Sequence, residues 1–205
     1  MDGLLNYIIQ IQSLAETGIH YSKNPFELKR NQEINDLCMK ILEQYTGENL
    51  EVVRTHLEER SGYKTPKVDV RAVVFNEENE LLMVREKIDN RWSLPGGWAD
   101  IGFSPSEVAV KETLEEAGIR VKPFSLLAVM DKKCHEHPSD LYYIYKIFLG
   151  CEVIAEESMD GLETTDAAFF SEESIPALSG PRNTRWQIQL LFDFRKGLKT
   201  PPYFD

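Results

Sequence analysis

The stretch Gly96-Gly97-Trp98-Ala99-Asp100-Ile101-Gly102-Phe103-Ser104-Pro105-Ser106-Glu107-Val108-Ala109-Val110-Lys111-Glu112-Thr113-Leu114-Glu115-Glu116-Ala117-Gly118-Ile119 decides how the rest of the chain is read. Its second half carries helix signals at both ends. Ser104 is a candidate N-cap, Pro105 stands at the first helical position, and Glu107 completes a capping box. Gly118 supplies the left-handed residue that ends a helix. Between these ends, Glu112, Glu115 and Glu116 are spaced i, i+3, i+4 and project from one face. Three carboxylates this close repel one another, so the face is either solvated or neutralised by a hard cation. Two features favour the cation. Lys111 precedes Glu115 by four, the weaker orientation for a helical ion pair, and Pro95-Gly96-Gly97 can bring backbone carbonyls close to whatever the acids hold.

Gly97, Lys111, Glu112, Glu115, Glu116, Gly118 and Ile119 fall in the register of the Nudix box, G-x5-E-x7-R-E-U-x-E-E-x-G-U with U aliphatic. The chain therefore resembles the Nudix hydrolases of nucleoside diphosphates linked to another group X. It departs from the box at three places: Phe103 stands for the first Glu, Lys111 for Arg, and Thr113 for the aliphatic residue. The E-x-x-E-E core is intact. The replaced Glu and Arg resemble orienting groups around the metal, so their loss bears on geometry more than on metal binding.

The chain has 205 residues, enough for one large domain or one domain with a small companion. A net charge of −11 argues against a duplex-DNA or anionic-membrane partner. Cys38, Cys134 and Cys151 are odd in number and far apart, which fits a reducing compartment. No signal-type segment or membrane-length apolar run is present, and a cytoplasmic location is expected.

Residues 2–21 carry Leu4, Leu5, Ile8, Ile9, Ile11 and Leu14 at helical spacing. Asn24-Pro25 opens a second helix that stops at Gly47, and a third is expected near residues 48–59. We read residues 1–63 as a helical module that supports homodimerisation. The alternative, a DNA reader, is opposed by seven Lys and Arg against ten Asp and Glu in residues 1–65. The wording Tyr21-Ser22-Lys23-Asn24-Pro25 also resembles the N-terminal extension of a Gram-positive branch of Nudix enzymes, similar to the CDP-choline pyrophosphatases. From residue 67 the pattern changes to strands: a hairpin of 68–75 with 81–85, then strands near 121–130 and 141–153, a short one at Phe169-Phe170, and a closing helix over 183–196. This order predicts an α/β/α sandwich with a mixed sheet over residues 67–205, preceded by the small all-α module.

The resemblance implies a reaction. Water attacks one phosphorus of the diphosphate, and the CDP-choline branch would release CMP and phosphocholine. ADP-ribose, another nucleotide-X or RNA ends are alternatives, RNA the weakest supported, and a non-catalytic ligand sensor is the alternative outside enzymes. Mg²⁺ or Mn²⁺ would be held by Glu112, Glu115 and Glu116 with the Gly96 carbonyl as a fourth ligand. Such enzymes commonly add a late acid, and Glu163, six residues before Phe169, is the candidate, with Asp166 and Glu157 as substitutes. Arg71 interrupts an apolar strand, where a charge needs a partner or a cleft, so it is a candidate for phosphate or for a structural ion pair. Trp92 and Trp98 flank the glycine loop and are candidates for stacking on a base or a choline-type cation, with core packing the usual alternative. Asp100 is a candidate polar contact. The 131–140 segment is long for a connection between strands and reads as a flexible lid.

Overall fold

A computed structural model describes residues 3–47, 65–156 and 164–205. They fall into two units, Met1–Pro66 with Ser139–Tyr143, and Lys67–Pro138 with Ile144–Asp205. In the first unit, α1 (Gly3–Tyr21) and α2 (Pro25–Thr46) pack as a pair. The start of α2 follows from its sequence: the Asn24 side chain accepts from the Phe26 N–H, Pro25 opens the helix, and Gly47 closes it at φ 70°. Leu5, Ile8 and Ile9 bury themselves against Cys38, Met39 and Leu42, with Leu141 and Tyr143 of the second segment beside them. The opposite seams stay exposed. Leu4, Tyr7, Ile11 and Leu14 on α1, and Ile34, Leu37 and Ile41 on α2, recur at the three- and four-residue steps of helix-to-helix packing. The expected third helix lies outside the described residues.

The second unit is built around β1 (Lys67–Val74), which is buried from Asp69 to Val74. A strand buried on both faces sits in the middle of a sheet. β1 accordingly pairs antiparallel with β4 (Gly96–Trp98) and parallel with β6 (Ile144–Glu156). β6 in turn pairs with β5 (Ile119–Asp131), and the short β8 (Tyr203–Phe204) completes a mixed five-stranded sheet. The expected 68–75/81–85 hairpin is not formed. With both edges of β1 taken, β2 (Leu81–Glu86) shares only the Phe75–Leu81 bridge with that segment and joins a second sheet, between β3 (Trp92–Ser93) and β7 (Thr164–Phe170).

Alternation along β1 divides the core. Val70, Ala72 and Val74 pack with Val108, Ala109 and Ala117 of α3 (Pro105–Ala117), whereas Val73 packs with Ile188, Leu190 and Leu191 of α4 (Arg185–Arg195). A helix thus covers each side of the strands, giving an α/β/α sandwich with a mixed sheet. Within the 131–140 segment read as a flexible lid, three residues are bonded to other parts of the chain. Asp131 N–H donates to Asp205, His135 meets the same carboxylate at 3.1 Å, and His137 bonds the Gly180 carbonyl at 2.8 Å.

Candidate active site

α3 forms as its ends prescribe. Ser104 and Glu107 exchange both bonds of a capping box, Pro105 is the first residue, and Gly118 ends the helix at φ 66°. Its last turn lies against the glycine loop. Gly96 has φ 144°, and a Cβ there would stand 2.0 Å from the Val70 carbonyl oxygen, so no other residue fits. The Gly96 N–H donates to the Glu116 Oε2 at 2.8 Å. The Glu112 carboxylate lies over Gly97, where a Cβ would stand 3.2 Å from it.

The three glutamates have different surroundings. Glu116 is buried, and burial pushes its carboxyl up to about 7 against the opposing pull of the Gly96 N–H and Arg71, with Glu112 and Glu86 adding further upward pressure. Glu112 is mostly covered, whereas the Glu115 side chain is 59% exposed. Lys111 reaches three acids: Glu112 at 3.5 Å, Asp100 at 3.6 Å and Glu115 at 3.9 Å. The weaker i, i+4 orientation has therefore not kept Lys111 from Glu115.

The three departures from the box now have local explanations. The Lys111 ammonium lies 5.7 Å over the ring of Phe103, so the two substituted positions contact each other as a cation–π pair beside Asp100. Thr113 is fully buried in place of an aliphatic residue, with its hydroxyl satisfied by the Ala109 carbonyl at 2.7 Å.

Below this turn is a buried charge cluster. Arg71 is bonded to Asp69 at 2.9 Å and donates to the Leu94 carbonyl at 3.0 Å. Lys146, opposite Asp69 in the β1–β6 register, also donates to Asp69. Burial would raise the Asp69 carboxyl, but Arg71 and Lys146 hold it below the usual range. Burial draws the Lys146 ammonium down to about 8 despite Asp69. Arg71 is thus engaged in an ion pair and also lends charge to Glu116 and Glu86. Sequence reasoning missed Asp69, Lys146 and Glu86. The signal that marked Arg71, a charge interrupting an apolar strand, was present at all three.

Trp92 stacks edge-on against Phe170 at 4.7 Å and packs against the core cluster that holds Leu94 and Leu191. Trp98 is 42% exposed, with the Lys67 ammonium 5.4 Å from its ring. Glu163 and Glu157 lie outside the described residues, and Asp166 is on β7. Hard oxygen donors suit Mg²⁺ or Mn²⁺, and a raised, buried carboxyl beside a second one is what a cation would relieve. Among the described residues no three His, Cys, Asp or Glu side chains are gathered as a finished metal cage. Glu115 faces outward, while Glu112 and Glu116 are covered beside the glycine loop, and the donor chemistry of this turn fits a hard cation.

Comparison with known proteins decides the family. The NUDIX domain model matches residues 65–191, more than half of the chain. The chain belongs to the Nudix hydrolase family. A second model, described as a UDP-X-like, N-terminal oligomerisation domain, matches residues 2–57 of this Nudix hydrolase. A Bacillus subtilis (strain 168) protein provisionally named ADP-ribose pyrophosphatase YjhB is 42% identical over 96% of this chain and 94% of its own. The crystal structure of a UDP-X diphosphatase is 32% identical with a TM-score of 0.64, covering 98% of this chain and 97% of that one. A Streptococcus suis 89-1591 ADP-ribose pyrophosphatase structure is 35% identical with a TM-score of 0.62, covering 69% of this chain and all of that one. Among the described residues no helix is long and apolar enough to cross a membrane.

Proposed function

We propose that this Nudix hydrolase cleaves the diphosphate of a nucleoside diphosphate linked to X, using Mg²⁺ or Mn²⁺ held by Glu112, Glu115 and Glu116 with the Gly96 carbonyl. The observation that carries this reading is Glu116, buried with its carboxyl at about 7, beside Glu112 and anchored by the Gly96 N–H. A bound divalent ion supplies polarisation of the phosphoryl oxygens and a lowered pKa for water. The chain's residues do the rest. Gly96 and Gly97 keep side chains out of the way of the carboxylates, Arg71 places positive charge under them, and Glu163, or Asp166 or Glu157 in its place, supplies the late acid. Trp98 and Asp100 flank the loop as candidate substrate contacts.

CDP-choline is the substrate read from the sequence, and the relatives' names add ADP-ribose and UDP-linked compounds to the same class. A phosphatase-coupled phosphate-release screen over CDP-choline, ADP-ribose and UDP-glucose with Mg²⁺ and Mn²⁺ tests the reading. Turnover of at least one compound, abolished by EDTA, is expected. Absence of turnover on all three with either metal would contradict it, and binding without turnover would favour a ligand sensor.

The exposed seams of α1 and α2 fit a second copy of the chain, and the matched oligomerisation model supports a homodimer. Leu14→Glu with Leu37→Glu is expected to halve the mass measured by light scattering. An unchanged dimer mass would place the interface elsewhere.

A further inference from the structure

The Lys111 ammonium stands between two sets of partners. On the helix side it lies 3.5 Å from Glu112 and 3.9 Å from Glu115, two of the acids proposed to hold the divalent ion. On the loop side it lies 3.6 Å from Asp100 and 5.7 Å from the centre of the Phe103 ring. Asp100 and Phe103 belong to one turn, in which the Phe103 N–H donates to the Asp100 carbonyl at 3.2 Å. A locked charge-assisted bond is about 2.7–2.9 Å long, and all three ion-pair distances exceed it. The ammonium is therefore shared among the acids rather than fixed on one. It is partly exposed and ends a flexible stem, so it is able to swing.

Two cations cannot use the same carboxylates without cost. A divalent ion and an ammonium about 5 Å apart repel enough, even at the dielectric constant of water, to weaken binding by about tenfold. Lys111 must therefore give up Glu112 and Glu115 for an ion to be held there, and the loop side offers its ammonium another place. Asp100 supplies a carboxylate outside the proposed ligand set. Phe103 supplies a ring face, and at 5.7 Å the ammonium is near the outer limit of about 6 Å for a cation–π contact. That contact has room to shorten as the side chain turns away from α3. A carboxylate at position 103 would set a second fixed anion beside Asp100, whereas the ring attracts the ammonium without adding charge.

We propose that Lys111 is a built-in counter-cation of the acidic turn, competing with the divalent ion for Glu112 and Glu115, and that Asp100 and Phe103 receive its ammonium when the ion binds. The affinity for metal is then held down by the chain itself. This rests on the reading of Glu112, Glu115 and Glu116 as metal ligands.

The test is Mn²⁺ binding at low ionic strength, followed by electron paramagnetic resonance, for the wild type, Lys111→Met, Phe103→Leu and the double variant. Lys111→Met keeps an unbranched stem and removes the charge, and is expected to bind Mn²⁺ at least about fivefold more tightly. Phe103→Leu removes the ring but leaves the competitor, and is expected to bind about threefold more weakly. Without Lys111 the ring no longer matters, so the double variant should match Lys111→Met within about twofold. A mere field effect of one charge fewer would tighten Lys111→Met but leave Phe103→Leu at the wild-type affinity. Phe103 is exposed and Lys111 partly so, and circular dichroism checks that the variants fold. Should Phe103→Leu fail to fold, Lys111→Met decides. Equal or weaker binding by Lys111→Met overturns the proposal, as does a Phe103→Leu effect that is absent, reversed or the same with and without Lys111. Saturable binding with four equal affinities defeats this inference alone, whereas no saturable binding by any of the four defeats the metal-ligand reading with it.

Discussion

The acidic turn of α3 and the charge cluster on β1 and β6 hold similar numbers of ionisable groups, yet they solve the problem of charge in opposite ways. On the strands, Asp69 meets Arg71 and Lys146 directly, and the cluster is neutralised from within. On α3, the Lys111 ammonium meets Glu112 and the buried Arg71 guanidinium pulls on Glu116, yet burial raises the Glu116 carboxyl to about 7. The strand cluster therefore has the chemistry of a scaffold, and the helix turn that of acids whose charge a hard cation would relieve. Sequence adjacency does not predict which is which. Glu115 and Glu116 are neighbours in the chain, but one is exposed and the other buried.

Neutralising one acid in each region should break this comparison most sharply. Glu116→Gln is expected to lower Mg²⁺-dependent turnover at least a hundredfold, about 3 kcal/mol of barrier, while shifting stability by less than about 1 kcal/mol. Steady-state kinetics and urea denaturation of the same preparation measure both. Asp69→Asn should do the converse to the fold. Leaving Arg71 and Lys146 buried without their carboxylate is expected to cost about 3 kcal/mol in urea denaturation, and a loss below about 1 kcal/mol would show that the cluster is not self-neutralising.

A smaller effect sharpens the basic side. The His137 ring, at about 4 in the folded chain against 6.5 when free, takes up its proton more readily unfolded. Its contribution to stability is therefore complete above pH 6.5 and is lost as pH falls through 4. Compared with His137→Asn, the wild type is expected to lose roughly 2–3 kcal/mol more stability over that window. Parallel pH profiles of the two proteins would contradict the burial of a neutral ring.

Much of this was legible in the sequence because the signals were local. Ser104, Pro105, Glu107 and Gly118 fix the ends of α3, as Asn24, Pro25 and Gly47 fix those of α2. The mixed α/β/α architecture followed from element order. What failed depended on distant partners. The hairpin was inferred from adjacency, but β1 is claimed by β4 and by β6, whose register partners are 77 residues away. Asp69 and Lys146 are separated by 77 residues, so neither announces the other. Phe103 is unexplained as a missing Glu until Lys111 is seen over its ring.

The central claim is that the α3 turn binds the divalent ion. Its most direct test is Mn²⁺ binding followed by electron paramagnetic resonance, wild type against Glu116→Gln. The account expects saturable Mn²⁺ binding by the wild type, weakened at least about tenfold in the variant. Equal Mn²⁺ affinity in the two proteins would contradict it.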